Sequence, residues 1–182
     1  MNCGWFYNWG PHGESKGGLE FVPMIKGKKG VTEKVLTQVK KSGAKVLLGF
    51  NEPEREKQGD TTVEEALDLW PRLMATGLRL GSPAPSSDKE GMAWLEKFME
   101  GVEKRKLRVD FLAVHWYRSA DVEKFSEWLD GLHKRYDRPI WVTEFNAKFT
   151  DGDRDKFARE AFRMLEHHRA VERFAYMNGF HA

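Results

Sequence analysis

Seven short runs rich in β-branched and aromatic residues recur along the chain, and five amphipathic stretches lie between them. The runs are Cys3–Trp9, Phe21–Ile25, Lys45–Phe50, Leu78–Ser82, Val109–Tyr117, Pro139–Phe145 and Arg173–Met177. Val31, Val35, Leu36 and Val39 make the first helical face. Val63, Ala66, Leu67, Trp70, Leu73 and Met74 make the second, opened by a Thr62–Glu65 capping box in which each side chain satisfies an orphan helix amide. Leu95, Phe98, Met99 and Val102 form a third stripe, Phe125, Trp128, Leu129, Leu132 and Tyr136 a fourth, and Ala158, Ala161, Phe162 and Leu165 a fifth. Strand followed by helix, repeated, is the pattern of parallel βα units. At this length it leaves two folds, an open doubly wound sheet and a (β/α) barrel.

The position of the unusual polar residues separates them. Asn8, Asn51, Glu52, Ser82, His115, Glu144 and Asn146 all fall at the C-terminal ends of their strands. A barrel gathers those ends into one pocket, whereas an open sheet splits them across two faces. The expected fold is therefore α/β, a TIM-type (β/α)8-like barrel. Closing eight strands usually takes about 200 residues or more. The chain has 182 residues and seven visible strands, so the barrel is expected to be shortened or gapped. No repeat, low-complexity run or linker divides it, and residues 1–182 read as a single domain. Lys26–Gly30, short and basic, reads as a solvated loop.

Composition removes several function classes. Seven Trp and twelve Phe need a core or a ligand to cover them, which argues against disorder. Thirty basic residues against 28 acidic give a net charge of +2, far from the excess a phosphate-backbone binder carries, so no nucleic-acid partner is expected. With Cys3 alone there is neither an intrachain disulfide nor a cysteine-based metal site. Apolar stretches reach about six residues, too short to span a membrane. Met1 leads straight into a strand-like run, which does not read as a signal peptide.

Two glutamates carry the candidate chemistry. In Gly49-Phe50-Asn51-Glu52-Pro53 an apolar strand ends in a polar pair and then a proline. The same design returns in Trp141-Val142-Thr143-Glu144-Phe145. A carboxylate at the mouth of a buried strand is costly unless it is paired or used, because burial disfavours its charge. Hydrolysis of a glycosidic bond needs two such groups: one protonates the leaving oxygen, and the other, ionised, attacks the anomeric carbon or activates water. A buried ion pair explains one such glutamate as well. It explains two at equivalent positions poorly.

Around them stand groups suited to holding a sugar. The Asn51 amide could bind a hydroxyl next to the acid, or close an Asx turn before Pro53. His115 and Tyr117 share a strand face by period two and could orient the nucleophilic carboxylate, while Trp116 points the other way into packing. Tyr7 and Trp9, with Asn8 between them, sit at the polar end of the first run. Pyranose rings pack their C–H faces on aromatic rings, so such a cleft suits a polysaccharide. Trp5, Trp70, Trp94 and Trp128 read as core.

Other constellations fail. Asp151-Gly152-Asp153-Arg154-Asp155 opens like an EF-hand loop, but Lys156 stands where glycine is needed and Phe162 where the bidentate glutamate belongs. His167 and His168 are adjacent and face apart on a helix. Phosphate-binding loops and the serine-hydrolase elbow are missing. No cofactor and no metal is expected.

Taken in order, W-F-Y-N-W-G, L-E-F-V-P-M, L-L-G-F-N-E-P-E, R-L-G-S-P-A, D-F-L-A-V-H-W-Y, I-W-V-T-E-F and E-R-F-A-Y-M resemble glycoside hydrolase family 128, retaining β-1,3-glucanases among the clan A (β/α)8 barrels. The resemblance runs from Gly4 to Tyr176. It implies an endo-β-1,3-glucanase acting on a laminarin- or curdlan-type polymer without a cofactor. In clan A the acid/base glutamate follows Asn at the end of the fourth strand, and the nucleophile ends the seventh. By that resemblance Glu52 is the acid/base and Glu144 the nucleophile. Here they end the third and sixth strands, so the strand not seen is the family's first. Two sheet edges would then be open to pairing, and a gapped barrel or a dimer contact there is expected. A polymer substrate lies outside cells, which implies a secreted mature chain. A glycosidase of other β-linkage, a non-catalytic glucan-binding barrel and a purely structural domain remain alternative readings.

Overall fold

The computed structural model describes residues 4–147 and 154–177. Within them the order is β1 (Trp5–Phe6), β2 (Glu20–Phe21), a 3-10 turn (Lys28–Gly30), α1 (Glu33–Lys41), β3 (Val46–Leu47), α2 (Val63–Met74), β4 (Arg79–Leu80), α3 (Lys89–Arg105), β5 (Leu112–Trp116), α4 (Val122–Tyr136), β6 (Ile140–Phe145), α5 (Arg154–His167) and β7 (Val171–Tyr176). All ladders are parallel: β1 with β2, β3 with β4, and β6 between β5 and β7. Single parallel bridges join the pieces, Met24 to Leu48 beyond β2 and β3, and Gly81 to Phe111 between β4 and β5. Seven parallel strands thus follow one another in chain order, an α/β arrangement. The strands β1 to β4 are shorter than the sequence runs suggest, because their ladders lapse into single bridges beyond two residues.

Strand alternation divides the apolar side chains between two cores. Val22, Met24, Val46, Leu48, Ala84, Phe111, Ala113 and Trp141 pack on one face, with Trp5 and Tyr7 half-buried against them. On the other face Leu47, Leu80, Leu112, Val114, Trp116, Val142 and Phe145 meet Leu36, Trp70, Phe98, Phe125, Leu129 and Leu165 of the helices. The sheet curls: Trp5 of β1 lies 5.2 Å, centroid to centroid, from Trp141 of β6. Among the described residues no ladder joins β7 to β1. There Arg173 reaches Glu20 at 2.6 Å and lies 4.5 Å from the Trp141 ring. A groove of about 770 Å³ opens beside them, lined by Phe6, Phe162, Phe174 and Tyr176 among others.

Local signals are realised where they were strong. Thr62 accepts from Glu65 N while the Glu65 carboxylate accepts from Thr62 N, so the capping box forms and α2 starts where expected. The Lys26–Gly30 stretch is a loop with Lys26 and Lys29 exposed, as its composition suggests, but Gly27 and Lys28 are tied to the next connection. Lys28 is bonded to Glu65 at 3.1 Å and its amide to Thr61, while Gly27 lies so close to Gly59 that a Cβ would meet the Gly59 carbonyl at 2.1 Å. Glycine there permits two backbones to touch, and the basic side chain neutralises an acidic helix start. Residues 151–153 of the aspartate-rich segment, and Met1–Cys3, lie outside the described residues.

Candidate active site

Glu144 is delivered by a bulge. β5 and β6 pair Val114 with Val142, but the next pair is His115 with Glu144, so Thr143 is the extra residue. That slip puts the carboxylate beside the imidazole instead of one residue past it. Glu52 arrives by another device. It follows the bridge between Asn51 and Ala84, and its backbone has φ of 38°, the left-handed region that non-glycine residues avoid. Three backbone hydrogen bonds hold it there: Glu52 N donates to Ala84 O at 2.8 Å, and Glu52 O accepts from Arg55 N and Gly59 N. Such a conformation costs on the order of 1–3 kcal/mol and persists only where its surroundings dictate it.

His115 lies between the two carboxylates. Its side chain is fully buried, with Nδ1 3.3 Å from Glu52 Oε1 and Nε2 3.6 Å from Glu144 Oε1. The first is hydrogen-bond distance, the second an ion-pair distance only. Burial opposes the imidazolium. The charges of Glu144 and Glu52, and that of Glu54 behind them, outweigh it and raise the His115 pKa above its ordinary value.

Glu144 takes three further donors. The Tyr7 hydroxyl lies 2.8 Å from Oε1, the Trp9 indole N–H donates to Oε1 at 2.8 Å, and the Tyr117 hydroxyl donates to Oε2 at 2.7 Å. The Tyr7 oxygen is also 3.1 Å from Thr143 O, but its single proton serves the nearer, charged acceptor. Burial of Glu144 works to raise its pKa. The positive His115 and the donors from Trp9, Tyr117 and Tyr7 reverse that, and the carboxyl is held below its ordinary range. Burial, followed by the Glu144 charge, pushes both tyrosines far above theirs, so both stay protonated donors.

A sequence model described as the glycosyl hydrolase catalytic core matches residues 1–181. An endo-β-1,3-glucanase of subgroup I from Amycolatopsis mediterranei, solved with laminaritriose, superposes with a TM-score of 0.85 at 38% identity, covering 95% of this chain and 78% of its own. The chain belongs to glycoside hydrolase family 128. Two more of its structural relatives are a curdlan-specific exo-β-1,3-glucanase of Blastomyces gilchristii (32% identity, TM-score 0.83, 96% of this chain and 80% of that one) and an endo-β-1,3-glucanase of Sorangium cellulosum (26%, 0.83, 98% and 80%). No curated protein sequence matches the chain.

The remaining family-128 candidates divide. Asn51 is buried beside Glu52. Its Nδ2 makes a long bond, 3.4 Å, to Gln58 Oε1, and its Oδ1 has no partner among the described residues, leaving an acceptor at the acid. Asn8 is exposed and turned away. It bonds His12 O and caps Gly10 N, a local turn that contacts neither glutamate. Trp116 is buried on the helix side, as period two requires. Ser82 and Asn146, also at strand ends, bond backbone (Ala113 N and Met177 O) and serve the ladder. Sequence reasoning missed Glu54. Its side chain is 3% exposed, Oε1 accepts from Ser86 N at 2.8 Å, and Oε2 has no hydrogen-bond partner among the described residues. The N-E-P-E-R run was its only signal. Among the described residues, no cluster of three or more His, Cys, Asp or Glu could hold a metal ion.

Proposed function

We propose that the chain is an endo-acting β-1,3-glucan hydrolase that retains configuration, with Glu144 as nucleophile and Glu52 as acid/base. The observation that carries the assignment is the asymmetry of donors among the described residues: Tyr7, Trp9, Tyr117 and His115 surround the Glu144 carboxylate, while that of Glu52 is met by the His115 imidazole. The carboxylate held charged attacks the anomeric carbon. The other carries the proton that the leaving oxygen takes. Glu52, ionised after that transfer, then removes a proton from water, whose oxygen displaces Glu144 from the sugar. Retention requires carboxyl groups roughly 5–5.5 Å apart. Asn51, Tyr7, Trp9, His115 and Tyr117 line the sugar site in this reading, and Asn8 supports the loop that carries Trp9. The seven strands of the described residues read as one gapped (β/α)8-like barrel domain, and the edge between β1 and β7, which no ladder joins among the described residues, is where a further strand would pair.

The test is reducing-sugar release from laminarin, with a β-1,4-glucan as control and Glu144→Gln as the variant. Wild type is expected to release product from laminarin alone, with at least a 10⁴-fold loss in the variant, on the order of removing a covalent nucleophile. Proton NMR of the first product is expected to show the β anomer. Binding without product would reassign the chain as a glucan-binding barrel.

A further inference from the structure

Resting on the proposed roles of the two glutamates, we infer that Glu54 is the positioning residue of the acid. Its carboxylate takes the Ser86 amide that a regular ladder would give to the Glu52 carbonyl, and so holds Glu52 in its turned backbone. Beyond β3 and β4 the parallel pairing continues as the bridge of Asn51 with Ala84. Ala84 N donates to Phe50 O at 2.8 Å, and Glu52 N donates to Ala84 O at 2.8 Å. In a parallel ladder the next bond would run from Ser86 N to Glu52 O. Here the left-handed turn at Glu52 (φ 38°) sends that carbonyl to Arg55 N and Gly59 N instead. A backbone amide cut off from its ladder needs another acceptor. Ser86 N finds it in Glu54 Oε1 at 2.8 Å.

Ser86 is an anchored partner. Its hydroxyl donates to Asp88, the N-cap of α3, at 2.9 Å and accepts from Arg55 at 3.2 Å. A Cβ on Gly91 would meet the Ser86 carbonyl oxygen at 2.0 Å, so the start of α3 rests directly on this backbone. A charged acceptor on the Ser86 amide is roughly twice as strong as a neutral one. That strength matters because non-glycine residues avoid the conformation Glu52 holds. Stability of the fold alone does not favour the arrangement. The Glu54 side chain is 3% exposed, and its Oε2 has no hydrogen-bond partner among the described residues. Arg55 Nε lies 3.6 Å from Oε1, but the same guanidinium also serves Asp88 and Glu90. A neutral side chain would cost less in that place. Without Glu54, Ser86 N can bond Glu52 O, which requires Glu52 to leave the left-handed region and moves its carboxyl away from His115.

The experiment grades the acceptor. Glu54→Gln keeps a neutral acceptor of the same length, and Glu54→Leu keeps similar volume without one. Both are assayed on laminarihexaose, whose leaving group needs the Glu52 proton, and on an aryl β-laminaritrioside with an activated phenol, whose release needs only Glu144. On laminarihexaose kcat is expected to fall about five- to tenfold in Glu54→Gln and about 10²-fold or more in Glu54→Leu, with KM within about threefold, as for a misplaced general acid. The initial burst of phenol is expected to stay within about threefold of wild type in both. Burial lowers the His115 pKa and the charges of Glu144, Glu52 and Glu54 raise it, so rates are compared at each variant's own pH optimum. Equal losses on the two substrates, a Gln variant as impaired as the Leu variant, or wild-type kcat in both overturns the assignment. Where Glu54→Leu does not fold, Glu54→Gln decides alone, and a kcat on laminarihexaose within about twofold of wild type overturns it. A wild type that cleaves neither substrate overturns the hydrolase reading itself, and the positioning role with it.

Discussion

The two candidate catalytic carboxylates are held by opposite means. Glu144 sits inside β6, a six-residue buried strand paired on both edges; the Thr143 bulge sets its register, but its φ lies outside the left-handed region. Its side chain is defined by what donates to it: Tyr7 and Trp9 from the other end of the chain, Tyr117 and His115 from the neighbouring strand. Glu52 follows a two-residue strand. Its backbone is strained and pinned by three backbone hydrogen bonds, while its side chain is met, among the described residues, by the His115 imidazole. A nucleophile must stay charged and keep one trajectory, which fixed donors provide. An acid/base must give and regain a proton, which a dense shell of donors would hinder. The difference teaches that precision can be supplied to the side chain in one case and to the backbone in the other.

The largest test of that contrast is Glu52→Gln on two substrates. With laminarihexaose, whose leaving group needs a proton, kcat/KM is expected to fall 10²–10⁴-fold, the usual worth of a positioned acid. With an aryl laminarioside bearing an activated phenol, the first step should stay within about tenfold, so that a burst of phenol precedes slow turnover. Equal loss on both substrates would mean that Glu52 is not the acid.

His115 joins the two regions, and replacing it should unsettle both. Its raised pKa means the imidazolium is the form present at lower pH and is lost as pH climbs through that raised value. In wild type the alkaline limb of kcat/KM therefore contains the loss of the positive charge between the carboxylates. The protons belong to the cluster, so apparent pKa values describe the group as a whole. His115→Asn is expected to lower kcat/KM about 10²-fold and to shift the acid limb upward, because Glu144 loses its strongest charge partner. A pH profile of unchanged shape at reduced height would assign His115 to packing alone.

Much of this was legible in the sequence for a reason that can be stated locally. The parallel order follows from strand and helix signals that alternate, and Thr62 with Glu65 marks a helix start by side-chain chemistry alone. Two carboxylates at strand ends stand out because burial of charge needs a reason. What stayed illegible depends on contacts across the fold. Nothing near Tyr7 or Trp9 indicates that they would serve as hydrogen-bond donors to Glu144, more than 130 residues away. Trp9 does so from a left-handed backbone (φ 57°) that period-two reasoning cannot foresee. The Thr143 bulge is equally silent, since a register slip is a property of two strands. Lys28 looked solvated because its partners, Asp60 and Glu65, come from the next connection.

The smallest effect concerns the donors individually. Tyr117→Phe removes one charge-assisted hydrogen bond, at 2.7 Å to Glu144 Oε2, and leaves the ring that meets His115 edge-on at 6.2 Å. Such a bond is worth about 1.5–3 kcal/mol, or roughly 10- to 100-fold in rate. Its loss removes a cause that holds the Glu144 pKa down, so that pKa should move back toward the ordinary carboxylate value. The sign follows: stability from the ionised Glu144 is present above the ordinary pKa and is lost as pH falls through the depressed one, and in the variant that loss begins at higher pH. The acid limb of kcat/KM and the acid unfolding midpoint should both rise, while the alkaline limb, which contains the loss of the His115 charge, should move less. Glu52→Gln should leave the acid limb of the remaining aryl-glycoside activity where it is. An acid limb that moves with Glu52→Gln but not with Tyr117→Phe would reverse the assignment of nucleophile and acid.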